Sequence, residues 1–206
     1  MKITYEEYVV KFSKNFRCVK IDTEYASKIY DFASKVVSEK LKEAHHKQDS
    51  HQEIKRFFTG FLGEAALEKI LKIDIIDWSI GTSKQYHNPD IPGYNVGIKT
   101  VERNKFPIIF KKNSYPQIIC VKSNVDDTAV FVCGLATPDV LNTYQDDNLI
   151  LDPNLRARGT KTGFYGFEYL IPITSLVDLS AYKKWGKYHA KRRIIRVRKF
   201  ELFEGI

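Results

Sequence analysis

From Thr23 to about Lys47 the apolar residues Tyr25, Ile29, Phe32, Val36 and Leu41 recur near helical spacing, which predicts a first helix with Thr23 as its N-cap. A polar interruption, Gln48-Asp49-Ser50, precedes a second helical stretch, HQEIKRFFTGFLGEAALEKIL. Its Ile54, Phe57, Phe58, Phe61, Leu62, Ala65 and Ile70 form a wide apolar face, and Ser50 with Glu53 fits a capping box at its start. The period then changes. IDIIDWSI is short, β-branched and apolar and is followed by the polar GTSKQYHN, the pattern of a strand running into a loop.

NPDIP and GYNVGIKTVE come next, joined across Pro92-Gly93, a turn signal that predicts a hairpin. QIICVKS and TAVFVCGL, separated by NVDD, form a second pair apolar enough for a buried sheet. ATPDVLNTY predicts a short helix opened by Thr137 and Pro138. Residues 144–166 are polar and glycine-containing, as expected of a long surface loop that approaches a ligand. EYLIPITSLVDLSAY then returns to the sheet and leaves it, Pro172 being tolerated only at an edge or a strand end. Two helices followed by strands with an inserted helix predict an α/β fold, a central mixed β-sheet flanked by helices.

Length changes the picture little: 206 residues suit one domain with one substantial core, taken here as 1–206 with a basic C-terminal segment at 183–199. A hydrophobic fraction of 43% with 13% aromatics excludes a disordered chain. No apolar run approaches the roughly 20 residues of a bilayer span, and the first residues mix charge with apolar positions, so a soluble, cytoplasmic protein with no membrane partner is expected. Cys18, Cys120 and Cys133 are scattered and read as free thiols.

Charge adds more. A net charge of +8 points to a polyanionic partner, because Lys and Arg gain free energy by releasing counterions from phosphate backbones. In KKWGKYHAKRRIIRVRK, Trp185 and Tyr188 interleave with cations that include Lys191, Arg192 and Arg193, a mixture that binds phosphates and stacks on bases. The same stretch also reads as an edge strand protected from aggregation by its Lys and Arg. Arg156, Arg158 and Lys161 in the 144–166 segment, and Arg56 upstream of Glu64, are further candidates for contact with a nucleic acid, Arg56 reading equally as half of a surface ion pair.

Hydrolysis of a phosphodiester with a divalent cation needs hard oxygen ligands, a group that positions and deprotonates water, and a cation facing the phosphate. NPDIPGYNVGIKT supplies a carboxylate, Asp90, on one arm of the expected hairpin and an amine, Lys99, on the other. Alternation sets Gly97 and Lys99 on one face of the strand, with Ile98 buried on the other and Glu102 opposite Lys99. Taken singly, Asp90 is an ordinary turn residue, Lys99 an ordinary strand-end cation and Glu64 an ordinary helix-surface acid. Their order and spacing carry the reading. His45, His46, Asp49 and His51 straddle the break between the two helices and read as a solvated linker, and His87 as a loop residue near Asp90.

Pro89-Asp90, a hairpin-length spacer and Ile98-Lys99-Thr100 after a hydrophobic strand resemble the signature of the PD-(D/E)XK nuclease superfamily, and FLGEAALEKIL resembles the upstream helix whose glutamate completes the metal site. VFVCGLATPDVL and YLIPITSLVDL are similar to the closing strand-helix and final strand of restriction-enzyme-like and phage-encoded members, so the resemblance spans roughly residues 51–180. It implies a restriction-endonuclease-like fold and Mg²⁺-dependent endonucleolytic hydrolysis of DNA, with Mn²⁺ as a substitute. Asp90, Glu64 and the Ile98 carbonyl would hold the metal, and Lys99 would hold or activate the attacking water.

One departure stands out: Gly97 occupies the position where the family has Asp or Glu. Either Glu64 takes over that duty, or the metal is held by Asp90, Glu64, the Ile98 carbonyl and waters, or catalysis has been lost. The last case leaves a catalytically silent module that binds nucleic acid or a protein. An RNA-processing nuclease of the same fold is a further alternative. Cutting both strands of a duplex calls for two active sites, which implies a homodimer.

Overall fold

The computed structural model describes residues 3–41, 50–79, 90–91 and 93–185. Helix α1 (Tyr5–Tyr8), capped by the Thr4 hydroxyl, runs through a 3₁₀ turn (Val10–Asn15) into strand β1 (Arg17–Lys20). The hydrophobic pattern had not announced these elements, because β1 buries only Val19 and alternation over so short a span is weak. Helix α2 spans Thr23–Leu41 and begins one residue after Asp22, whose carbonyl accepts from the Ala26 amide. Ala26, Ile29, Ala33 and Val37 line its buried face. Helix α3 (Ser50–Leu71) follows, with Leu62, Ala65, Ala66, Leu67, Ile70 and Leu71 buried against α2 and the sheet. The expected helices therefore form, and the end proposed for the first one at Lys47 lies outside the described residues.

The main sheet contains β2 (Gly97–Glu102), β4 (Gln117–Lys122) and β5 (Ala129–Ala136) together with β1, in the order β1-β5-β4-β2. β5 is antiparallel to both β1 and β4, whereas β2 runs parallel to β4, so the sheet is mixed. Successive residues of β4 enter different cores. Ile118 and Cys120 pack with α2 and α3, while Ile119 and Val121 pack beneath a second sheet. That sheet has the order β3-β7-β6 and is built from β3 (Ile108–Phe110), β6 (Gln145–Asp146) and β7 (Lys161–Phe164). Helix α4 (Pro138–Thr143), capped by the Thr137 hydroxyl as its sequence predicts, closes this side with Val140 and Leu141 buried. The short helix α5 (Pro153–Ala157) precedes β7, and α6 (Leu176–Trp185) ends the described chain.

Four expectations are corrected. Residues 73–79 form no strand, because the Ile75 and Ile76 amides that a ladder would use both donate to Glu68 Oε1 at 2.8 Å. The hairpin around Gly93 shrinks to one antiparallel bridge, Ile91 to Val96, with Gly93 and Asn95 both at positive φ in the turn. The segment 144–166 is no loop: it supplies β6, α5 and β7, and Thr162, Gly163 and Phe164 are buried. The final strand is likewise a single bridge, Ile171 to Leu135. It docks where Gly134, at φ 133°, lets the Ile171 carbonyl come within 2.7 Å of where a Cβ would stand.

No described helix is long and apolar enough to cross a membrane.

The closest approach of α3 to the sheet fixes the position of everything that follows. A Cβ on Gly63 would lie 1.8 Å from Thr100 Oγ1 and 2.9 Å from Thr100 Cβ. Gly63→Ala normally gains up to about 1 kcal/mol of helix propensity. Here overpacking should outweigh it, for a net destabilisation of about 1–2 kcal/mol read by urea denaturation. A variant as stable as wild type would mean that α3 and β2 are less tightly seated.

Candidate active site

Glu64 follows Gly63 on α3 and is carried to the sheet by that same close contact. Burial first, then the charges of Asp90, Glu68 and Asp77, push its carboxyl up to about 8. Glu68 is already engaged, accepting from Ile75, Ile76 and, at 2.7 Å, the Tyr25 hydroxyl. No hydrogen bond from a described residue offsets the burial of Glu64 in the same way.

Asp90 stands immediately before the Ile91–Val96 bridge, which turns it back along β2. Its Oδ2 accepts from the Ile98 amide at 2.5 Å. Although Asp90 is exposed, surrounding protein pushes its carboxyl above the usual range, with the Ile98 amide and Lys99 pulling the other way. β2 is the edge strand of its sheet, and the Gly97 amide donates inward to the Pro116 carbonyl at 3.0 Å. Ile98 therefore turns both its N–H and its C=O outward, to the free edge where Asp90 sits.

Lys99 lies on the other face of β2 from Thr100. Burial, then repulsion from Lys161 and Arg56, lowers its ammonium to about 8, and Asp90 opposes the shift. The Asp90 charge raises the Glu64 carboxyl and favours the charged form of Lys99, so it bears on both of the other expected centres. Alternation sets Thr100 and Lys99 on opposite faces. Thr100 meets α3, whereas Val101, on the Lys99 face, packs with the second sheet. Glu102 shares the Thr100 face and pairs with Lys55 at 2.7 Å and Lys105 at 2.5 Å, which leaves it outside the centre.

The glycine at 97 has a physical counterpart. A Cβ there would lie 3.2 Å from the Tyr115 ring, a tight contact, and 3.5 Å from Asp90 Oδ2 and Gln117 Cγ, ordinary contacts, so an acidic side chain at 97 would rise directly beside the Asp90 carboxylate.

Arg56 and Lys161 also converge on Lys99. Arg56 makes a two-point contact with Glu53, at 2.7 and 3.0 Å, and its guanidinium lies 4.5 Å from the Phe57 ring centroid. Lys161 Nζ lies 5.5 Å from the Phe110 ring centroid. Arg156 instead turns its guanidinium to the Ile150 carbonyl, and Arg158 is exposed at the end of α5. Lys191, Arg192 and Arg193 lie outside the described residues, as do Pro89, His45, His46, Asp49 and His87.

Comparison of the chain with family models, curated proteins and solved structures finds no match. Function rests on the geometry.

Among the described residues no three of His, Cys, Asp and Glu are grouped closely enough to hold a metal ion. A divalent cation would rely on Asp90, Glu64 and the outward Ile98 carbonyl, with waters filling the remaining positions. These are hard oxygen donors, and two carboxyls held above their ordinary values by burial, with one repelling the other, are what a cation would relieve. In donor type these oxygens suit Mg²⁺ or Mn²⁺.

Glu64 gives a pH dependence that can be checked without metal. Between its ordinary value of 4.5 and about 8 the folded protein keeps a proton that the unfolded chain has lost, so this group lowers stability as pH rises through that window. Glu64→Gln removes the effect. In EDTA the variant should melt several degrees above wild type at pH 8 and close to it at pH 5, by differential scanning calorimetry. An unchanged difference between the two pH values would contradict this assignment.

Tyr115 was not legible as a neighbour of the site. Its position beside Gly97 follows the parallel pairing of β2 with β4, which places Gln117 opposite Gly97 and has no local sequence signal.

Proposed function

We propose that this chain is a Mg²⁺-dependent endonuclease of the PD-(D/E)XK type, with a restriction-endonuclease-like fold, that hydrolyses phosphodiester bonds of DNA. The observation that carries the reading is the Asp90 carboxylate held on the Ile98 amide at the free edge of β2, electrostatically linked to Glu64 on α3 and to Lys99 on the strand. The order of helix, carboxylate and strand lysine supports it, as does the convergence of Arg56 and Lys161 on the same point.

Asp90 and Glu64 would hold the cation, with the Ile98 carbonyl beside them. A bound Mg²⁺ would polarise the phosphoryl oxygen and acidify water. Lys99, with its ammonium lowered to about 8, has a neutral fraction near physiological pH that can take a proton from the attacking water. Arg56 and Lys161 keep that amine acidic and at the same time face the charge of the phosphate.

Incubation with supercoiled plasmid in Mg²⁺, Mn²⁺ or EDTA tests the proposal. Nicking with either metal and none in EDTA is expected. Gly97 favours a second reading, a silent nuclease-like module that binds nucleic acid, because β2 carries no acid beside Lys99. That module would bind DNA and leave the plasmid intact in every metal.

A further inference from the structure

Ile109 of β3 is buried, and alternation turns Phe110 outward, where it is 55% exposed. β3 is an edge of its sheet, and a large exposed aromatic on an edge strand is a liability for aggregation unless it has a use. Strand register sets Phe110 opposite Lys161, whose ammonium stands over one face of the ring at 5.5 Å from its centroid, while the residue remains largely exposed.

The chain beyond Phe110 is tied down. Asn113 Nδ2 donates to the Phe110 carbonyl at 2.7 Å, Asn142 Nδ2 to the Asn113 carbonyl at 3.0 Å, and the Lys111 amide to the Thr160 carbonyl at 3.1 Å. Gln117 Nε2 reaches Asn113 Oδ1 at 3.3 Å. This fastened path leads from the open ring to Tyr115 and Gln117, the two side chains that border Gly97 next to Asp90. A solvent-facing ring thus stands at one end of a hydrogen-bonded segment whose other end borders Gly97, with a cation over it that also bears on Lys99.

We propose that Phe110 is a stacking platform for an unpaired base of the substrate strand, with Lys161 taking the adjacent phosphate, so that the site accepts single-stranded DNA in preference to duplex. The proposal rests on the reading that this site takes nucleic acid. Every base offers a π-face to an aromatic ring, but in a duplex those faces are already stacked on their neighbours. Preference for unpaired strands follows from the ring, and strand-independent affinity from the cations.

The test is fluorescence anisotropy in EDTA, using 5′-fluorescein oligothymidylate and a labelled duplex of equal length, with wild type, Phe110→Ala and Phe110→Trp. Wild type should bind the single strand more tightly than the duplex. Phe110→Ala should weaken the single strand about tenfold and the duplex by less than about twofold, and Phe110→Trp should retain wild-type affinity. Equal losses on both probes, an unaffected single strand, or a wild type that does not prefer the single strand would overturn it. Because no cleavage is involved, the two readings separate. Binding with this Phe110 dependence in a protein that cuts nothing keeps the platform and removes the hydrolysis, and plasmid nicking with Phe110-independent binding does the reverse.

Discussion

Asp90→Ala should lower the rate of metal-dependent plasmid nicking by on the order of a thousandfold, with little change in the melting temperature of the metal-free protein. The expectation follows from position. Among the described residues Asp90 bears on both other centres, and its Oδ2 is fixed by the Ile98 amide. Its removal takes away a metal ligand and the counter-charge of Lys99 together. The cost to the fold should be small, since Asp90 is exposed and its loss relieves repulsion on Glu64. Mn²⁺ should raise the melting temperature of wild type and leave the variant unmoved, because only a ligand that binds the folded state stabilises it. Wild-type nicking rates in Asp90→Ala would remove the mechanism outright.

Lys99→Ala should cost about a hundredfold to a thousandfold in rate and leave Mn²⁺ stabilisation intact, which separates it from Asp90→Ala. Two features argue for a chemical role over a structural one. The side chain is partly buried, and burial with the nearby cations Lys161 and Arg56 outweighs the charge of Asp90, so its ammonium is lowered to about 8. A lysine that accepts a proton must be neutral, so the wild-type rate should rise with pH through about 8 and level off above it. Lys99→Arg should not restore activity, since guanidinium stays charged across that range. A rate in Lys99→Arg near that of wild type would make Lys99 a charge and not a base.

Much of the α/β architecture could be read from hydrophobic period alone. α2 and α3 carry long apolar faces, β4 and β5 are continuous apolar runs, and Thr137-Pro138 marks α4 with a capping hydroxyl. The misreadings share a cause, which is that strand character was judged locally. Ile73–Ser79 has β-branched composition, yet Glu68 takes the amides that a ladder needs. Thr162-Gly163-Phe164 looked like loop, yet pairing with Ile108 and Ile109 makes it the middle strand of a sheet.

The site was legible where order along the chain sufficed. Glu64, Asp90 and Lys99 fall along helix, turn and strand in the order expected, and Arg56 and Lys161 reach Lys99 from two different layers. What sequence could not supply was the tight contact of Tyr115 with Gly97 and the closeness of Asp90 to it, because that depends on how far the turn at Gly93 folds back along β2.

The most direct measurement is the single-turnover rate of supercoiled plasmid nicking in Mg²⁺ by wild type, Asp90→Ala and Lys99→Ala from parallel preparations, each shown folded by its melting curve. Nicking by wild type that EDTA abolishes, and that both variants lose by about two orders of magnitude or more, is the predicted result. Folded wild type that leaves the plasmid intact in Mg²⁺ and Mn²⁺, or nicking that survives in Asp90→Ala, would contradict a metal-dependent nuclease centred on Asp90.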